Sequence, residues 1–252
     1  MPTRTAETQQ RTTVRTHDGL RLAGTLAAPE HPEHAVLLLH GEGSNREQDG
    51  FYPRLATELA DRGVASLRFD LPGHGESEGR QDELTLSGLL NTINAGLTHL
   101  REHVADAPAT LLATGLTGGV AAGYAARKAP EVAKLVLVNP MIDYDVHLGA
   151  LITDQAGRDL ITRGQVEVTP TFAVGRAMLN EVFWLQPRGA LGAIAAPTLI
   201  LHGAGPTDVP LTSSTAAADA LTCEHRFVEI TGPQSAHWQA PAIREATEWI
   251  LS

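Results

Sequence analysis

The residues best suited by type and spacing to do chemistry sit in a glycine-rich corner, Gly115-Leu116-Thr117-Gly118-Gly119, between a short apolar run and a stretch of small residues. A G-x-S-x-G sequence after a buried strand and before a helix presents a hydroxyl nucleophile on a sharp turn, and here Thr117 stands where serine is usual. Threonine can attack a carbonyl as serine can, but its extra methyl restricts χ1. At a backbone φ above zero a β-branched residue also costs on the order of 1–3 kcal/mol. A second feature, His40-Gly41-Glu42, follows another apolar run. A loop there could aim the Glu42 N–H at the corner, with the Gly118 N–H as a second donor, and two donors converging on one point make an oxyanion hole.

Positioning these groups takes a sheet. Short Val/Leu/Ile-rich runs recur at Ala35–His40, Val64–Asp70, Ala109–Thr114, Lys134–Pro140, Pro197–Gly203 and His225–Ile230, with helical stretches between them. That alternation predicts a mostly parallel sheet covered on both faces. Ahead of it, alternating residues around Asp18-Gly19 predict an antiparallel hairpin at the leading edge. Leu86, Leu89, Leu90, Ile93, Leu97 and Leu100 have the spacing of a crossover helix packed on the sheet. Between Pro140 and Pro197 the pattern breaks for longer than one crossover needs. We therefore divide the chain into a core, residues 1–140 and 191–252, and an insertion, 141–190, which can serve as a lid. Segments 150–163 and 171–183 of the insertion are expected to be helical, with Tyr144, Phe172, Phe183 and Trp184 supplying bulky apolar contacts.

The segments "HGEGSNRE", "FDLPGHGESEG", "GLTGG", "LILHG" and "GPQSAHW" occur in an order and spacing that resembles the α/β-hydrolase family, from roughly Val36 onward. Within it, the chain is most similar to small bacterial esterases of the cinnamoyl and feruloyl type. The resemblance implies an α/β fold with a central sheet of about eight strands, helices on both faces and a small helical lid. It also implies a triad in the order nucleophile, acid, histidine. On that pattern Thr117 is the nucleophile and His237 the base. The usual acid position holds Pro206, so Asp208 is the first candidate to orient the histidine, with Asp143 or Asp145 beyond the sixth strand as alternatives. In the family Asp70 and His74 shape a loop. The position of Glu42 is commonly apolar there; a carboxylate in a dehydrated cleft has its pKa pushed up and can transfer protons. Tyr144, Phe183, Trp184 and Trp238 are the expected walls of a substrate pocket.

Two readings from different classes follow, beside a binding protein that needs only the pocket. One is an acyl hydrolase acting on a small carboxylic ester or thioester, with Thr117, His237 and Asp208. The other is a non-hydrolytic acid/base enzyme, such as a cyclase, dehydratase or lyase, using His237 and Glu42.

Composition narrows the partners. A net charge of −10 repels phosphate backbones and anionic head groups, which leaves a small molecule or carrier-bound acyl chain as partner rather than nucleic acid or membrane. The beginning of the sequence lacks the apolar run of a secretory signal, so a cytoplasmic location is expected. With Cys223 as the one cysteine, neither an intrachain disulfide nor a thiolate metal cluster can form. No metal or organic cofactor is expected. His99 and His103 share a helix face that could hold zinc, but they lack the H-E-x-x-H pattern.

Overall fold

The computed structural model describes residues 9–104, 107–149, 153–203, 207, 209–230 and 235–252, with the backbone alone for 235–237. The predicted hairpin forms first: β1 (Gln9–Arg15) pairs antiparallel with β2 (Arg21–Ala27). Then come β3 (His34–Leu39), α1 (Phe51–Ala60), β4 (Val64–Phe69), α2 (Leu86–His103), β5 (Ala109–Thr114), α3 (Leu116–Arg127) and β6 (Lys134–Val138). After the insertion follow β9 (Thr198–Gly203), α7 (Leu211–Ala220), β10 (His225–Ile230) and α8 (Ser235–Leu251). Eight strands form one sheet in the order β1-β2-β4-β3-β5-β6-β9-β10, parallel from β4 to β10. This is the α/β-hydrolase fold.

Alternation along β3 shows how the sequence builds the layers. Leu37 and Leu39 join a core with α2 and α3, while Val36 and Leu38 join a second core with α1 and α8. Because both faces are covered, the strand reads as an unbroken apolar run. Helix α2 starts at Thr85, whose hydroxyl accepts from the Gly88 N–H at 2.8 Å. Its Leu86, Leu89, Ile93, Leu97 and Leu100 are buried, as their spacing predicts.

The insertion is only partly helical. It holds α4 (Tyr144–Gly149), α5 (Asp154–Thr162), a hairpin of β7 (Gln165–Thr169) and β8 (Phe172–Gly175), and α6 (Arg176–Glu181). Segment 171–183, expected to be a helix, is therefore a strand in its first half. A four-residue apolar run such as Phe172–Gly175 has no resolvable period, and pairing with β7 decides it. The hairpin is clamped to the core by Gln81, which donates from Nε2 to the Thr171 carbonyl at 3.1 Å and accepts from the Ala173 N–H at 3.0 Å. Glu181 accepts from the Ser87 N–H and hydroxyl at 3.0 and 2.8 Å. No helix among the described residues is long and apolar enough to cross a membrane.

Candidate functional site

Strand β5 ends at Thr114, and the sharp corner comes at the next residue: Gly115 has φ 58° and ψ −125°, and α3 begins at Leu116. The strained position thus falls on Gly115, two residues before Thr117, which lies within the first turn of the helix and is not among the residues of positive φ. The physical reason is the cost named above. Offered a glycine and a threonine within one corner, the chain puts the residue without a Cβ where φ must be positive.

Thr117 is buried, 2 % exposed, and its hydroxyl faces the carbonyls of Thr114, His40 and Leu39 at 2.8, 2.9 and 3.2 Å. Surrounded by acceptors, it is a donor that seals the joint between β3, β5 and α3. The Gly118 N–H, expected in an oxyanion hole, donates to the Gly115 carbonyl at 3.0 Å inside the same turn. The amide directly after the corner residue is that of Leu116, and it donates to Glu42 Oε2 at 2.8 Å.

Glu42 therefore holds the centre of the site. A Cβ built on Gly115 would overlap its carboxylate, so Glu42 fills the volume that a side chain at the corner would take. The N-terminus of α3 points the Leu116 amide and the positive end of its dipole at this carboxylate. Tyr144 closes another side: it is buried, and its hydroxyl donates to the Leu116 carbonyl at 2.8 Å. Burial, helped by the negative charge of Glu42, holds the Tyr144 phenol well above its ordinary pKa, so it stays protonated.

The loop bearing Glu42 is held rigidly. His40 accepts the Leu71 N–H at Nε2, 3.0 Å, and donates from Nδ1 to the Gly41 carbonyl at 2.8 Å. Burial pushes its pKa down to about 3, so the ring is neutral and serves as a strut. Asp70 accepts from the Arg46 and Glu76 amides and pairs with the Arg46 guanidinium, shaping the loop as the resemblance implies. His74 is likewise buried, its ring stacked on Phe172 of the insertion hairpin at 5.8 Å. The hairpin also meets the Glu42 loop: at Gly43 a Cβ would come within 2.5 Å of Thr171 Oγ1.

The other expected residues divide. Asp143 accepts from Arg188 Nε and Nη2, each at 2.5 Å, and Asp145 is exposed and caps the Val146 N–H, so each carboxylate has an occupation of its own. Phe183 and Trp184 face outward, 47 % and 85 % exposed. Trp238 packs on the Phe51 ring at 4.9 Å and over the end of β9 at Gly203. That places the first turn of α8, with the backbone of His237, at the carboxyl edge of the sheet where β5 delivers Gly115. Gln239, two residues on, donates to the Asp49 carbonyl beyond the Glu42 loop at 3.3 Å. The His237 ring and Asp208 lie outside what the structure describes. Sequence reasoning missed Gly115. The signal was the end of the β5 run at Thr114, since a corner residue follows its strand directly.

The family comparison agrees with this architecture. The model of the Hydrolase_4 family, described as serine aminopeptidase S33, matches residues 30–181. Est1E from Butyrivibrio proteoclasticus, solved with ferulic acid bound, superposes with a TM-score of 0.81 at 20% identity, covering 95% of this chain and 98% of that one. Mouse alpha/beta hydrolase domain-containing protein 10 gives 0.77 at 18% identity over 96% and 100% of the two chains. A monoacylglycerol lipase of Paleococcus ferrophilus gives 0.69 at 20% identity over 91% and 98%. No curated protein matches the sequence. With the matched segment spanning more than half of the sequence and the sheet order described above, the chain belongs to the Hydrolase_4 family of α/β-hydrolases.

Proposed function

We propose that this protein is an enzyme of the α/β-hydrolase family that acts on a small carboxylic ester or thioester without an acyl-enzyme, using the Glu42 carboxylate as its base. One observation carries the reading: Glu42 occupies the volume of the missing corner side chain and takes the Leu116 amide at 2.8 Å. A carboxylate that accepts an amide at a helix N-terminus is fixed in orientation, and the positive end of the helix dipole favours an anion there. It can remove a proton from a hydroxyl as that oxygen attacks the substrate carbonyl, and return the proton to the leaving oxygen or sulfur. His237, at the same edge of the sheet, is the candidate second proton carrier. If the attacking hydroxyl is water, the product is a free acid; if it belongs to the substrate, the reaction is a ring closure. The insertion hairpin, seated over the Glu42 loop, would act as the lid that keeps the bond-making step dry.

The test is a comparison of Glu42→Gln with Thr117→Val on a panel of small esters and thioesters, with hydrolysis and ring closure followed by mass spectrometry. Loss of a positioned base lowers kcat on the order of 10²–10⁴-fold. We expect that loss in Glu42→Gln and a change under about tenfold in Thr117→Val; the reverse order would refute the reading.

A second reading is favoured by the serine peptidase description of the matching family. It is an acyl hydrolase in which Thr117 attacks, His237 is the base and Asp208 orients the imidazole. It requires the Thr117 hydroxyl to leave three backbone carbonyls and the first turn of α3 to rearrange.

A further inference from the structure

The last turn of α2 carries His99, Glu102 and His103. Residues three and four apart share one helix face, and one ligand atom from each of these three lies within 4.8 Å of the others. The two imidazole centroids are 4.4 Å apart. A tetrahedral zinc site with bonds near 2.0–2.2 Å needs donors about 3.4 Å apart. Glu102 and His103 are exposed, so rotation of their side chains can close the difference at little packing cost.

The rings are already oriented for ligation. His103 donates from Nδ1 to the His99 carbonyl at 2.8 Å, which leaves Nε2 as its lone pair. His99 Nε2 lies 2.7 Å from Thr12 Oγ1 on β1; donation to that hydroxyl leaves Nδ1 as its lone pair. Metal-binding histidines characteristically anchor the second ring nitrogen in this way. Arg15 and His17 line the same groove from the β1 side, Arg15 as a like charge that a bound dication must tolerate. Helix α2 runs from β4 back to β5, so this turn lies at the edge of the sheet opposite Gly115, away from the proposed reaction centre.

We propose that His99, Glu102 and His103 form a divalent transition-metal site, with Thr12 orienting His99 and the remaining coordination positions open to water. Two imidazoles and one carboxylate suit zinc, nickel or copper and not calcium or magnesium, which require oxygen ligands. The site would staple the end of α2 and tie it to β1 through Thr12.

The experiment is calorimetric titration of ZnCl2 into tag-free protein stripped with a chelator. Saturable one-to-one binding is expected, weakened at least about tenfold in His99→Ala and in His103→Ala, and on the order of ten- to a hundredfold in Thr12→Val, which keeps all three ligands. MgCl2 should produce no binding heat. The proposal is overturned if zinc does not saturate the protein below about 1 mM, or if either histidine variant binds as the parent does. Unchanged affinity in Thr12→Val would overturn the orienting role of Thr12. Exposed His103 is the safeguard against misfolding, since its removal leaves the core of α2 untouched.

Discussion

Replacing Gly115 by serine restores a hydroxyl at the corner, and the structure says what that would cost. At φ 58° and ψ −125° any residue with a Cβ is strained by about 1–3 kcal/mol. The new Cβ would also overlap Glu42. The carboxylate is the end of a flexible side chain and can swing away, but it then leaves the Leu116 amide, a charged hydrogen bond worth about 1.5–3 kcal/mol. Gly115→Ser should therefore destabilise the protein by about 2.5–6 kcal/mol, a large share of the 5–15 kcal/mol typical of a folded domain. In a Glu42→Ala background only the backbone strain remains, so the same substitution should cost about 1.5–3 kcal/mol less. Urea unfolding of the four proteins, followed by circular dichroism, measures this coupling. Equal costs in the two backgrounds, within about 0.5 kcal/mol, would refute the claim that Glu42 fills the corner.

Other expectations follow from the same geometry. Thr117→Val removes the donor shared by three carbonyls and should cost about 1–3 kcal/mol of stability, whereas Thr117→Ser should stay close to the parent; a neutral valine would refute the sealing role. His40 is neutral in the folded protein down to about pH 3, while an exposed histidine protonates near pH 6.5. Its contribution is thus intact above pH 6.5 and falls by up to about 1.4 kcal/mol per pH unit between pH 6.5 and 3, because the unfolded chain takes up a proton that the folded chain refuses. His74 and His202, whose pKa values burial also lowers, push in the same direction. Denaturation midpoints should hold level from pH 7.5 to about 6.5 and fall from there to pH 4.5, and a profile flat over the whole range would contradict the buried neutral assignment.

The fold was legible because its signals are local. Six short strand-like runs, the Asp18-Gly19 turn and the leucine spacing of α2 each declare themselves within a few residues, and the strands found match the runs to within two residues at either end, although β10, at the sheet edge, buries only Ile230 of its six residues. The candidate site was legible only in outline. Its place at the end of β5 follows from pattern, but the choice between Gly115 and Thr117 turns on one backbone dihedral, and the G-x-x-G-G spacing accommodates both. The partner of the Leu116 amide could not be read at all, since Glu42 belongs to a different strand-end loop and only the parallel pairing of β3 with β5 brings the two together. The insertion hairpin was hidden for a similar reason: Phe172–Gly175 becomes a strand by pairing with β7 and is held by Gln81 from a distant turn.

The most direct test of the central claim, that the corner bears a carboxylate and no nucleophilic hydroxyl, is intact-mass analysis of the parent protein after exposure to a fluorophosphonate. No phosphonylated adduct is expected under conditions that label a serine hydrolase to completion. A stoichiometric adduct mapped to Thr117 would contradict it.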